Sequence, residues 1–91
     1  LNTLRLRIRG RVQGVGYRFF AVSEARKLGI TGFVRNLERA DEVEVHASGR
    51  EAEVSRFIDR LRLGPAGAEV TDVSIQPVEP DTTYQGFSIR Y

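Results

Sequence analysis

The chain has 91 residues, fewer than the roughly 150 expected per domain, so residues 1–91 are read as one small domain with no space for a separate cofactor module. Its 41% hydrophobic and 29% charged residues suit a compact core rather than disorder, and the lack of Cys excludes a disulfide framework, thiol catalysis and Cys-built zinc sites. The net charge of +2 divides unevenly: residues 1–39 hold nine of the 14 basic side chains against Glu24 and Glu38 alone, whereas residues 40–91 hold five basic and ten acidic ones.

Leu4-Arg5-Leu6-Arg7-Ile8-Arg9 alternates apolar and basic residues with period two, which predicts a strand with one buried face. Beyond a glycine-rich stretch ending at Gly16, Ala21, Val22, Ala25 and Leu28 form the apolar side of a helix, and Gly29 stands where a helix C-terminal glycine belongs. Residues 30–36 and 43–47 read as the second and third strands. The polar hairpin between them, with Asp41, Glu42 and the nearby Glu44, reads as solvated. Ser48 and Glu51 have capping-box spacing, and Val54, Phe57, Ile58 and Leu61 predict the second helix, ended by Gly64-Pro65-Ala66-Gly67. Residues 70–76 and 87–91 alternate as the fourth and fifth strands, with Pro77 and Pro80 confining what lies between them to a turn or an edge. The order is βαββαβ with an additional C-terminal strand: an α+β domain with an antiparallel sheet and two helices on one face.

The segment Gly10-Arg11-Val12-Gln13-Gly14-Val15-Gly16-Tyr17-Arg18 lies between a strand and a helix start. Glycines at 14 and 16 permit positive φ, so that backbone N–H groups can converge in front of the helix N-terminus and, with Arg18, hold an anion. The same glycines also suit a turn that merely reverses the chain. The spacing matches neither a nucleotide P-loop nor a dinucleotide fingerprint.

That segment, together with Gly32-Phe33-Val34-Arg35-Asn36, Val43-Glu44-Val45-His46-Ala47-Ser48-Gly49 and the closing Gly86-Phe87-Ser88-Ile89-Arg90-Tyr91, resembles the acylphosphatase family over nearly the whole chain. The resemblance implies a ferredoxin-like α/β sandwich that hydrolyses the carboxyl-phosphate bond of acyl phosphates without a metal or cofactor. It implies that Gln13, Gly14, Val15, Gly16, Tyr17 and Arg18 form the phosphate-binding loop, with Arg18 the phosphate-binding arginine and Asn36 the water-positioning asparagine. The family's second motif usually places a glycine four residues after the asparagine and a valine two residues beyond it. Here Leu37-Glu38-Arg39-Ala40-Asp41-Glu42 intervenes before Val43, one residue longer and free of glycine, so a longer polar loop replaces a tight turn.

The chemistry suits so sparse a set of groups. The leaving carboxylate, with a conjugate-acid pKa of about 4 to 5, departs unprotonated, and transfer to water then needs charge stabilisation and an in-line water. Asn36 does not titrate near neutrality and can only hold that water. Tyr17, Phe19 and Phe20 read as core aromatics and His46 as a surface or cross-strand residue. The expected partners are a small acyl phosphate and inorganic phosphate as product and inhibitor; neither nucleic acid, for which the paired stacking aromatics of an RNA-recognition strand are missing, nor a membrane is expected. The apolar stripe of each helix is accounted for by the sheet, so a monomer is expected, with the cytoplasm as default location.

Overall fold

In the computed structural model, which describes residues 2–80 and 83–91, the elements follow in the order β1 (Asn2–Arg11), α1 (Tyr17–Leu28), β2 (Thr31–Asn36), β3 (Glu42–Gly49), α2 (Glu51–Leu63), β4 (Glu69–Pro77) and β5 (Phe87–Arg90). The strands form one sheet in the order β4-β1-β3-β2-β5. β1 pairs antiparallel with both β3 and β4, and β2 antiparallel with β3, whereas β2 and β5 run parallel. The ferredoxin-like architecture is as expected, with one refinement: the added strand makes the sheet mixed at one edge rather than wholly antiparallel.

The period-two pattern of β1 sorts its side chains as predicted. Leu6 and Ile8 face Val45 and Val43 of β3 and join Ala21 and Ala25 of α1 and Val54, Phe57 and Leu61 of α2 in a single core. Each of these side chains is almost fully buried, and burying a residue of Leu or Phe size contributes about 1.5 to 3 kcal/mol. Both helices therefore cover one face. α1 ends in a Schellman motif, with Gly29 at φ 70°, its N–H bonded to Arg26 O and the Ile30 N–H bonded to Ala25 O.

The opposite face is polar, and two expectations are corrected there. Ser48 does not cap α2: it lies within β3, and its hydroxyl hydrogen-bonds that of Thr3 across the β1–β3 pair at 2.9 Å, leaving Arg50 at the helix N-cap without a side-chain cap bond. Glu42 and Glu44 are not solvated but 4% and 5% exposed. Arg9 and Arg39 contact the Glu42 carboxylate at 3.4 and 3.3 Å, and Arg35 donates to Glu44 Oε1 at 2.8 Å. Burying a carboxylate is costly unless it is paired, so the arginines of β1 and β2 are what admit these glutamates. Of the surface and cross-strand places expected for His46, it takes the cross-strand one, stacked on Phe33 with centroids 4.4 Å apart. Burial lowers its pKa, Glu44 opposes that, and Arg5, Arg35 and Arg90 reinforce it.

Candidate active site

β1 and β2 run in the same direction, since each is antiparallel to β3, and β5 runs with β2. Their C-terminal ends consequently emerge at one end of the sheet, where the chain turns from Arg11 into α1. Arg18, Asn36 and Tyr91, distant in sequence, are delivered to this end by topology. Arg90 is in register with Arg35, the residue before Asn36. Tyr91 follows directly, and its ring lies beneath the Arg18 guanidinium, 5.1 Å from Cζ to centroid.

The turn itself is built on backbone conformation. Gly14 and Gly16 both have φ 76°, and a Cβ at either position would meet nothing within 4 Å. Their lack of a side chain therefore serves the left-handed backbone, which costs an L-residue about 1 to 2 kcal/mol, and leaves the space above the turn open. Val12 is buried and Val15 packs against the core, which anchors the turn from below. Gly16 is the N-cap of α1 and carries no side-chain cap; its carbonyl accepts from Phe20 N–H at 3.0 Å. The N–H groups of Tyr17, Arg18 and Phe19 precede that first intrahelical bond and have no partner within the helix.

The two helix starts differ in charge. α2 carries Glu51 and Glu53 in its first turn, which complement the positive end of the helix dipole. α1 has no acidic residue there and carries Arg18 instead, whose guanidinium has no carboxylate partner among the described residues. A cation at a helix N-terminus is unfavourable by itself. An anion held between the two would relieve it, and the convergent donors suit the tetrahedral oxygens of a phosphoryl group.

Tyr17 contributes its backbone to this end while its side chain belongs to the core. The ring is buried, and the hydroxyl donates to Leu61 O at 2.6 Å, docking the first turn of α1 on the last turn of α2. Burial pushes its pKa far above the ordinary tyrosine value. Phe19, in contrast to the core expectation, is 72% exposed on α1. Gln13 does not turn its amide towards the helix: Nε2 donates to the carbonyls of Leu37 and Arg39 in the β2–β3 connection and of Glu42 at the start of β3. Asn36, the last residue of β2, has a buried Oδ1 with no hydrogen-bond partner among the described residues. A buried acceptor of this kind costs about 1 to 3 kcal/mol unless a donor reaches it, which suits an atom reserved for a substrate-side water.

Sequence pattern singled out Arg18, Asn36 and the glycine turn, and the fold brings them to one end. It missed Tyr91 as a neighbour of Arg18, because that contact depends on the parallel β2–β5 register and has no local signal. Among the described residues, no group of three or more His, Cys, Asp or Glu side chains is placed to hold a metal ion, and no helix is long and apolar enough to cross a membrane.

Comparison with known proteins converges on one family. Residues 4–89 match the acylphosphatase family. An acylphosphatase of Mesorhizobium japonicum is 48% identical over 88 residues, covering 97% of this chain and 93% of that protein. One from Caldivirga maquilingensis is 42% identical over 88 residues with the same coverage. Among solved structures, the acylphosphatase from Bacillus subtilis aligns with a TM-score of 0.94 at 34% identity, covering 100% of both chains.

Proposed function

The chain belongs to the acylphosphatase family and hydrolyses the carboxyl-phosphate bond of acyl phosphates, and on that premise we propose how its residues divide the work. The backbone N–H groups of the turn from Gly14 to Gly16 and of the first turn of α1 hold the phosphoryl oxygens. Arg18 spans two of them with its guanidinium fork, and its charge is matched best when negative charge peaks on the equatorial oxygens in transfer. Asn36 Oδ1 accepts a hydrogen bond from the attacking water and so fixes its line of approach opposite the acyl oxygen. The water's oxygen bonds to phosphorus, the phosphorus–acyl oxygen bond breaks, and a carboxylate and inorganic phosphate leave. The carboxylate requires no proton from the enzyme, since its conjugate acid has a pKa of about 4. The protein's contribution is therefore positioning and charge, and neither a metal nor a general acid is needed.

The observation that carries this proposal is the charge inversion at the start of α1: uncapped donors, no acid, and beside an open turn an arginine that has no carboxylate partner among the described residues. The left-handed backbone at Gly14 and Gly16 and the open space around both positions are compatible with an anion held above the turn. The same proposal has the protein working as a monomer in the cytoplasm on small acyl phosphates. Support comes from the burial of each helix's apolar stripe on its own sheet and from the lack of Cys.

The test is hydrolysis of benzoyl phosphate in excess chelator, followed with and without inorganic phosphate. Turnover well above the buffer rate, inhibited competitively by phosphate, is expected. Arg18→Ala should abolish both turnover and phosphate inhibition. Turnover that collapses in chelator and returns with a divalent ion would overturn the metal-free mechanism, and an unchanged inhibition constant in the Arg18 variant would remove Arg18 from the cup.

A further inference from the structure

The β2–β3 connection follows directly on Asn36 and contains no glycine, and no non-glycine residue among those described has positive φ. The loop therefore reverses without the left-handed residue that tight turns use. Its carbonyls instead turn inward. Those of Leu37, Arg39 and Glu42 converge on the Gln13 amide nitrogen at 3.2, 2.8 and 2.8 Å. Within the loop, Leu37 N–H donates to Glu42 O at 3.1 Å and Glu42 N–H to Arg39 O at 3.2 Å. From outside, Gly10 N–H donates to Asp41 O at 2.9 Å. A carboxamide nitrogen carries two hydrogens, so three acceptors share two donors, and the longest contact, to Leu37 O, takes the shared position. Three carbonyl dipoles aimed at one point repel one another unless a donor stands among them.

Gln13 is thus the hub about which the loop is wrapped, and it is also the residue before Gly14. We propose that Gln13 is a positioning residue for hydrolysis: its amide takes the structural place of a turn glycine and locks the Asn36 oxygen to the phosphate cup. The proposal rests on the assignment of Asn36 as the group that orients water, and it gives Gln13 no contact with substrate. The rigid link runs from the Gln13 backbone in the turn, through its amide, to the Leu37 carbonyl one residue beyond Asn36. Loosening it leaves the cup intact but lets the water drift from the line of attack, and a displacement of about 1 Å can cost on the order of a hundredfold in rate. The loss therefore falls on kcat, with KM and the phosphate inhibition constant largely kept.

The experiment compares Gln13→Ala, Gln13→Glu, Asn36→Ala and the Gln13→Ala/Asn36→Ala double variant on benzoyl phosphate. Gln13→Ala is expected to lower kcat by tenfold or more with KM changed less than about threefold. In the Asn36→Ala background the same change should lower kcat no further, because the two residues act as one unit. Gln13→Glu places a carboxylate against three carbonyl oxygens. Its kcat relative to wild type should recover as pH falls, since only the protonated acid can donate to these carbonyls; circular dichroism at each pH restricts the reading to folded protein, because a carboxylate disfavoured in the fold also costs stability as pH rises. If Asn36→Ala retains wild-type kcat, the assignment of Asn36 fails and this proposal with it. If Asn36→Ala loses turnover while Gln13→Ala does not, or if the two losses multiply, only the Gln13 proposal is overturned. Should Gln13→Ala not fold, the Gln13→Glu profile decides: a wild-type pH dependence overturns the proposal.

Discussion

The guanidinium of Arg18 lies over the ring of Tyr91, 5.1 Å from the centroid, although 73 positions separate the two residues and Tyr91 is itself 98% exposed. The ring holds the cation without supplying the negative charge that would compete with a bound phosphate. An exposed cation–π contact contributes about 0.5 to 1 kcal/mol. Tyr91→Ala is therefore expected to lower kcat/KM about two- to fivefold, with Tyr91→Phe close to wild type. Steady-state kinetics on benzoyl phosphate measures this, and a Phe variant as weak as the Ala variant would show that the ring face is not what matters.

The glycines divide into two groups with opposite expected consequences. A Cβ at Gly10 would stand 2.0 Å from Glu69 O, and one at Gly32 1.9 Å from His46 O, so alanine at either position forces neighbouring strands apart. Gly14 and Gly16 have open space around them and only the left-handed backbone to satisfy. Gly14→Ala and Gly16→Ala should fold with a loss of about 1 to 2 kcal/mol and a disproportionate loss of phosphate affinity. Gly10→Ala and Gly32→Ala should be much less stable. Urea unfolding of the four variants ranks them, and the reverse order would contradict the division.

His46 makes stability depend on pH. Its folded pKa is depressed, chiefly by burial, below the ordinary value of about 6.5 that it regains on unfolding. Between those two values the unfolded chain binds more protons, so the contribution of His46 is fully present above about pH 6.5 and is lost as pH falls through the folded value. Urea midpoints at pH 7.5 and 5.5 should fall further for the wild type than for His46→Gln. Parallel losses in the two proteins would place the pH dependence elsewhere.

Much of the fold could be read from local pattern. Leu6 and Ile8 alternate with arginines, and α1 and α2 repeat their apolar residues at helical spacing, because such periodicities record a single buried face. Properties that depend on pairing were not legible. Ser48 and Glu51 have the spacing of a helix cap, yet the Ser48 hydroxyl is taken by Thr3 across the sheet. Glu42 and Glu44 are buried because arginines from other strands and the hairpin lie over them. At the site, Arg18 and the glycine turn are contiguous and therefore visible in sequence. Gln13 and the carbonyls it binds are 24 to 29 residues apart, and only the folded hairpin shows why a loop without glycine can follow Asn36.

The central claim is that the turn before α1 and its first three N–H groups form the phosphate site with Arg18. A titration of the ¹⁵N-labelled protein with inorganic phosphate, followed by amide chemical shifts in wild type and Arg18→Ala, tests it most directly. Saturable shifts concentrated at residues 14–19 in the wild type, and lost in the variant, are the predicted result. Amides 14–19 that stay fixed while shifts appear around Arg5, Arg7 and Arg9 on the opposite face of the sheet would contradict it.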